Sequence, residues 1–237
     1  MSTTAATNSL RGLPYTGPIQ ITSAYRKEGE VPEMTITTDR LKMRPISYED
    51  ITFYHERLYG NLETVEKYAD GKTRDLEYIQ TRVDRWVKRF MDGDYFSAFC
   101  IRLKDGTRVG HAILGHGDKA GEAEFAIMID PKYWDNGIGK EAAYGMLHGL
   151  APWMRETTRL VNMNEKDISE TRLATVKATS RIDNYAHKIF TRLGFVVVGT
   201  DTKWDPDLQK DCERHIFEKS IEDLALDRIL IEFDKRV

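Results

Sequence analysis

The chain has 237 residues, enough for one substantial core or for one domain with appendages. With 41% hydrophobic and 31% charged residues it has an ordinary globular composition, and a net charge of −3 provides no basic field to draw nucleic acid. Cys100 and Cys212 lie far apart without CxxC spacing, as free thiols of a reducing compartment would, and no apolar run reaches transmembrane length; a cytoplasmic protein without a membrane partner is expected.

Residues 1–36 are polar and punctuated by Pro and Gly, and are expected to form a poorly ordered leader. The opening MSTTAATNSLRG lacks the apolar segment of a signal peptide. It is Ser/Thr-rich with no acid before Glu28, which matches a transit peptide only in part. "LKMRPI" (41–46) alternates as a strand does. Ser47 then caps a helix that carries Ile51, Tyr54 and Leu58 on one face, with Asp50 three residues past the cap. "DLEYIQTRVDRWVKRFMD" (75–92) is an amphipathic helix with Leu76, Ile79, Val83, Trp86, Val87 and Phe90 in its stripe. The period then drops to two. "YFSAFCIRL" (95–103), a turn at Lys104–Thr107 and "RVGHAILGH" (108–116) predict a hairpin, and "EAEFAIMID" (122–130) a third strand stopped by Pro131. A helix follows over 139–154, then a polar loop over 155–171, a strand at 172–180, and a helix over 183–195 stopped by Gly194. Strands at 195–200 and 214–221 flank a hairpin loop. "EDLALDRILIEFDKRV" predicts a terminal helix that buries Ile221, Leu224, Ile229, Leu230 and Phe233, either on the sheet edge or in a homodimer. Only 123–180 has the strand–helix–strand spacing of a parallel crossover. The expected fold is therefore α/β, with a mixed, mostly antiparallel sheet flanked by helices rather than a doubly wound one. It divides into a leader (1–36), a domain (37–222) and a C-terminal helical extension (223–237).

"YWDNGIGKEAAYGM" (133–146) sets Gly137, Gly139 and Ala142 as G-x-G-x-x-A at a helix start. Unpaired N–H groups and the helix dipole favour an anion there, and glycine lets it come close. A plain strand–helix link would use the same glycines. A Rossmann site needs them directly after a first parallel strand, yet DPKYWDN intervenes and the preceding strands are antiparallel. A P-loop is excluded by Trp134 and Glu141 in the places of its Gly and Ser/Thr.

The run "AEFAIMIDPKYWDNGIGKEAAYGM" resembles the central motif of the GNAT N-acetyltransferases, in particular the RimJ/RimL-like branch. "TDRLKMRPIS", "YGNLETVEKYADG" and "KATSRIDNYAHKIFTRLGF" resemble further segments of that branch in the expected order, over residues 37 to 222. The resemblance implies an acyltransferase in which the strand before the glycines and the helix after them splay apart around acetyl-coenzyme A. It assigns Ile127, Met128 and Ile129 to the pantetheine amides, and Asn136, Gly137, Ile138, Gly139 and Lys140 to the pyrophosphate. The side chains of Ile127 and Ile129 remain free to pack in a core.

By the same resemblance Glu124 is the general base, directly or through water, on a strand face shared with Ala126 and Met128 whose apolar character would raise its pKa. Glu122 competes for that role. The oxyanion would meet a strand N–H, that of Met128. Asn184 would hold the pantetheine arm, with Asp183 the alternative because the interval to Gly194 is short. Tyr185 or His187 would protonate the leaving thiolate, with Phe190 where relatives have Tyr; otherwise the thiolate leaves as such, or His187 is a surface residue. His111 and His116 could line the acceptor side. No His/Cys cluster has metal spacing, so no metal is expected. The acceptor would be a primary amine, of a small molecule or a peptide, met by residues 57–75, 155–171 and 201–212; "NEKDISE" and "DPDLQKD" mildly suit a cation. The alternative activity is a GNAT-fold module that binds acyl-coenzyme A or a partner without turnover.

Overall fold

The computed structural model describes residues 15, 17–24, 33–66, 68–157, 160–161, 170–205, 210–222 and 229–234. Three strands open the chain: β1 (Ile19–Ala24), β2 (Glu33–Thr37) and β3 (Leu41–Pro45). A 3-10 turn (Tyr48–Asp50) leads into α1 (Ile51–Phe53), a π-helical segment (Tyr54–Tyr59), α2 (Leu62–Val65) and α3 (Leu76–Met91). The hairpin β4 (Ala98–Leu103) and β5 (Arg108–His116) is followed by β6 (Glu122–Ile129). A long helix comes next, made of α4 (Ile138–Gly145), a π-helical segment (Met146–Leu150) and α5 (Ala151–Thr157). Two short strands, β7 (Leu160–Val161) and β8 (Glu170–Thr171), pair with each other, inside the stretch expected to be loop. The chain then runs through β9 (Thr175–Arg181), α6 (Ala186–Arg192), β10 (Val196–Asp205), β11 (Lys210–Ser220) and β12 (Ile229–Asp234).

Ten strands form one sheet in the order β10-β11-β9-β6-β5-β4-β3-β2-β1-β12. Only β6–β9 and β1–β12 are parallel. The mixed, mostly antiparallel sheet is the one the period pattern predicts.

The sheet is covered on both faces, and β4 shows why. Its Phe99 and Ile101 point into one core with α4, α5 and α6, while Ala98 and Cys100 point into a second core beneath α3. Helix α3 starts where the Asp75 side chain accepts the Tyr78 N–H at 2.8 Å, and buries Ile79, Val83, Trp86 and Phe90. Each such side chain stabilises the fold by about 1.5–3 kcal/mol. On the other face the long helix lies flush on the strands because Gly145 and Gly149 face them. A Cβ there would come 2.5 Å from Met43 Cε and 2.8 Å from Ile19 Cγ2.

Two expectations are corrected. The stretch read as a terminal helix is a strand over Ile229–Asp234, parallel to β1 with Ile19 opposite Ile229. The leader contains β1 and most of β2, and Ile19 and Ile21 are fully buried. Each strand supplies the other's hydrogen-bonding edge. Residues 1–14 of that leader and 223–228 of that helix lie outside the described residues. No described helix is long and apolar enough to cross a membrane.

Candidate active site

Strand β6 lies between β5 and β9, and the two partnerships have different lengths. Against β5 it is paired along its whole length, from Ala123 opposite His116 to Ile129 opposite Gly110. Against β9 it is paired only at Glu122, Ala123 and Glu124, opposite Thr175, Val176 and Lys177. Beyond Lys177, β9 stays with β11 and parts from β6. The sheet forks there, and Glu124 is the last paired residue of β6. The splay is thus between two strands, not between strand and helix as expected.

Antiparallel pairing fixes which backbone groups face the fork. Asp130 N–H donates to Val109 C=O at 2.9 Å, so every second residue back along β6, Met128 included, turns its main-chain groups to β5. Ile127 and Ile129 turn theirs to the open side. This corrects the expected use of the Met128 N–H: its partner strand is β5. The indole N–H of Trp134 donates to Ile129 C=O at 2.8 Å.

The glycine run sits beside the end of β6. Gly137 is left-handed, with φ 74°, and sets the first turn of α4. A Cβ on Gly139 would lie 3.4 Å from Ile129 Cγ1 and 3.5 Å from Ile189 Cδ1, which places this turn between β6 and α6. Arg40, which local sequence did not single out, fastens it. Its Nη1 donates to Asn136 C=O at 2.8 Å and its Nε to Glu141 at 2.6 Å. Glu141 is fully buried and also accepts from Thr38 Oγ1 and Arg40 N–H, at 2.6 and 2.8 Å. The Lys140 pKa is lowered by burial first and then by the charges of Arg192 and Arg40. Cations gathered at a helix N-terminus, with their charges opposing one another, make a site an anion would relieve.

The other face of β6 carries Glu124 and Met128. Glu124 is exposed rather than held in apolar surroundings, whereas Glu122 is engaged by Lys177 Nζ at 2.7 Å. Above this face lies a buried polar aromatic cluster. His111, opposite Met128, is fully buried among Tyr54, Tyr59 and Trp86. Its Nε2 is 3.3 Å from Tyr59 Oη, and its Nδ1 is buried without a partner. Burial, and then the charge of Arg82, push its pKa down to about 3. His116 instead meets Asp94 at 2.8 Å and lies against Phe96. Arg57 holds Asp130, the acid at the exit of β6, through two 2.9 Å bonds, tying the π-helical wall to the strand end.

A GNAT acetyltransferase domain model matches residues 40–196. The chain belongs to the GNAT acetyltransferase family. As a member it is an acetyl-coenzyme A-dependent N-acetyltransferase. Similar solved structures include a GNAT acetyltransferase from Bacillus anthracis, with a TM-score of 0.62 at 19% identity over 80% of this chain and 100% of that one. A ribosomal-protein-S5-alanine acetyltransferase from Vibrio fischeri has a TM-score of 0.59 at 16% identity, over 81% and 98% of the two chains. RimL, a ribosomal α-N-protein acetyltransferase in complex with coenzyme A, has a TM-score of 0.59 at 13% identity, over 79% and 97%. These neighbours are in keeping with the RimJ/RimL-like branch. No curated protein sequence matches significantly.

In this GNAT domain the late helix sits beyond the fork. Asn184 accepts the Ala186 N–H at 2.9 Å through its side chain. Asp183 pairs with the buried Arg181, at 3.0 and 3.1 Å. The Asn184 carbonyl is bonded to His187 Nδ1, and Tyr185 is 72% exposed with Lys188 Nζ 4.4 Å from its ring centroid. Phe190 is core, packed on Phe125 and Phe217. Arg40, Tyr59, Tyr68 and Arg82 are site residues without a local motif. Most of "NEKDISE" and "DPDLQKD" lies outside the described residues.

Proposed function

We propose that the protein acetylates a primary amine by direct attack on the thioester of acetyl-coenzyme A, with Glu124 as general base. The observation that carries this is the fork: Glu124 stands at its apex, and the α4 N-terminus stands at the far end of the same strand. The main-chain groups of Ile127 and Ile129 pair with the pantetheine amides. Asn136, Gly137, Ile138, Gly139 and Lys140 receive the pyrophosphate, with Arg40 and Arg192 adding charge. Asn184 keeps the pantetheine arm in line. The coenzyme supplies an activated acyl carbon and a stable leaving group.

Glu124 takes a proton from the ammonium form of the acceptor, directly or through water. The freed amine forms its C–N bond as the thioester carbonyl becomes an oxyanion, which the fork-facing N–H of Ile127 meets in place of Met128. The C–S bond then breaks and the amine's second proton leaves. Tyr185 is exposed under Lys188 and the His187 Nδ1 is engaged, so the thiolate leaves as the anion; with a thiol pKa near ~8.5 it is a competent leaving group. The domain in this proposal spans 37–222, with β1 and β12 extending the sheet.

A thermal shift tests the coenzyme half: acetyl-coenzyme A at ~100-fold its Kd stabilises by about 2.7 kcal/mol. Thiol release with a panel of small amines and peptides tests the transfer. Binding with no release from any amine would leave a module that holds acyl-coenzyme A without turnover.

A further inference from the structure

Most described arginines of this chain stand against a carboxylate: Arg40, Arg44, Arg57, Arg74, Arg102 and Arg108 all do. Arg82 does not. It has no ion-pair partner among the described residues, yet it is only partly exposed. Its guanidinium carbon lies 4.8 Å from the ring centroid of Trp86 and 5.6 Å from that of Tyr78. Nη1 donates to Tyr78 Oη at 2.9 Å, and Nε is buried with no partner. Nη2 has no partner among the described residues either, and unlike Nε it is not shut away from solvent.

Arg82 is also well placed. Trp86 meets His111 edge-on, with centroids 6.0 Å apart; His111 touches Tyr59, and Tyr59 meets Tyr68 edge-on at 6.3 Å. The Tyr68 hydroxyl, whose pKa is raised first by burial, feels Arg82 and Glu124 with opposite signs. The base and the unpaired cation therefore flank the same tyrosine. The phosphates of the coenzyme are not the missing anion: Arg40 and Lys140 stand at α4, across the sheet from α3. A half-buried cation without a counter-charge is costly, and one guanidinium is balanced by a monoanion.

We infer that Arg82 is a specificity residue whose Nη2 receives a carboxylate carried by the acceptor, so that preferred acceptors are amines bearing a carboxylate group. This rests on Glu124 marking the acceptor side of the fork. It reverses the cationic preference that the acidic loop segments suggest. The carboxylate is either the α-carboxylate of an amino acid or an acidic side chain at the start of a peptide.

The experiment compares matched acceptors: serine, methionine and glutamate against their α-amides, and peptides beginning with Glu against the same peptides beginning with Gln. The carboxylate member of one set is preferred at least ~10-fold in kcat/KM, through KM. Arg82→Met brings that ratio to about one while coenzyme A still stabilises the variant; Arg82→Lys, which keeps the charge, retains part of it. Turnover without preference, or a preference that survives Arg82→Met, overturns the carboxylate site and leaves acetyl transfer standing. Melting of the coenzyme A-loaded protein with each acceptor gives a readout without turnover. A shift with the carboxylates alone, lost in Arg82→Met, upholds the site even if no amine is acetylated. Neither turnover nor any shift overturns the site as well.

Discussion

The two sides of the fork are built from different materials. On the coenzyme side the groups on offer are main-chain: the open edge of β6 at Ile127 and Ile129, and the first turn of α4 with its left-handed Gly137. Side chains there serve mostly to hold the backbone still, as Glu141 and Arg40 do. On the acceptor side nothing is main-chain. Glu124, Tyr59, Tyr68, Arg82 and His111 come from β6, the π-helical wall, α3 and β5, and are joined ring to ring. A backbone site suits an invariant ligand because any sequence that folds supplies it. A side-chain site can change its ligand one residue at a time. The comparison predicts that mutations on the two sides separate in what they disturb.

The largest separation is expected at Glu124. Glu124→Gln keeps the shape and the strand pairing and removes the base. Turnover should fall by about 10²–10⁴-fold, with coenzyme binding, read by thermal shift, unchanged. An unchanged rate would remove Glu124 from the mechanism.

His111 sharpens the acceptor side through pH. Its pKa is about 3 in the folded chain, against an ordinary 6.5, because burial and then the Arg82 charge exclude the imidazolium. Between those values the unfolded chain binds a proton that the folded chain does not. The stability is complete above pH 6.5 and is lost as pH falls toward 3, at up to about 1.4 kcal/mol per pH unit. Melting curves between pH 7 and 4 should show this loss, and His111→Gln should flatten it. A wild-type melting temperature constant over that range would show that His111 accepts its proton without cost.

On the coenzyme side the effects are smaller and of two kinds. Glu141→Gln takes an acceptor from Arg40 and sets an amide N–H against its guanidinium. Since the Arg40 side chain is 48% exposed, about 1–2 kcal/mol of stability is expected to go. Coenzyme affinity should fall with it, because Asn136 loses its brace. Arg192→Ala, at an exposed cation, should weaken coenzyme binding several-fold at low salt and less at high salt, with the melting temperature of the free protein unmoved. Equal effects of the two variants on stability would dissolve the distinction between holding the loop and charging it.

The same difference explains what the sequence disclosed. The coenzyme side is contiguous: a strand, Asp-Pro and glycines occupy 122–146, so period and turn residues reach it directly. Arg40 is remote, nearly a hundred residues from the loop it braces, and carries no motif. Tyr78, Arg82 and Trp86 do follow one another at helical spacing, but a stripe of that kind reads as a core face, and only the fold shows that the middle member is a cation lacking a partner. The error at the chain's end has one cause with the error at its start. Ile221, Leu224, Ile229, Leu230 and Phe233 fit a helix, whereas Ile229, Ile231 and Phe233 fit a strand. Which pattern wins depends on whether a strand edge is available. With residues 19–24 read as leader, that edge was missing from the sheet, and the helix was the remaining way to bury the apolar residues.

The smallest effect expected is at Trp134, where the two sides can be told apart without catalysis. Its indole N–H occupies Ile129 C=O, one of the fork-facing carbonyls, while 44% of the residue stays exposed. Trp134→Phe removes one hydrogen bond at a solvent-accessible edge, and water can replace it, so stability should drop by less than about 1 kcal/mol. If the pantetheine amide uses the same carbonyl, it must share or displace the indole. Coenzyme A added to the wild type should then change tryptophan fluorescence, and the change should vanish in Trp134→Phe, since Trp86 and Trp153 are buried away from the edge. Carboxylate acceptors should leave that signal alone and perturb Trp86, which lies against Arg82. One indole would report the main-chain half of the site and the other the side-chain half; a fluorescence change on coenzyme binding that survives Trp134→Phe would mean that the Ile129 carbonyl is not on the coenzyme's path.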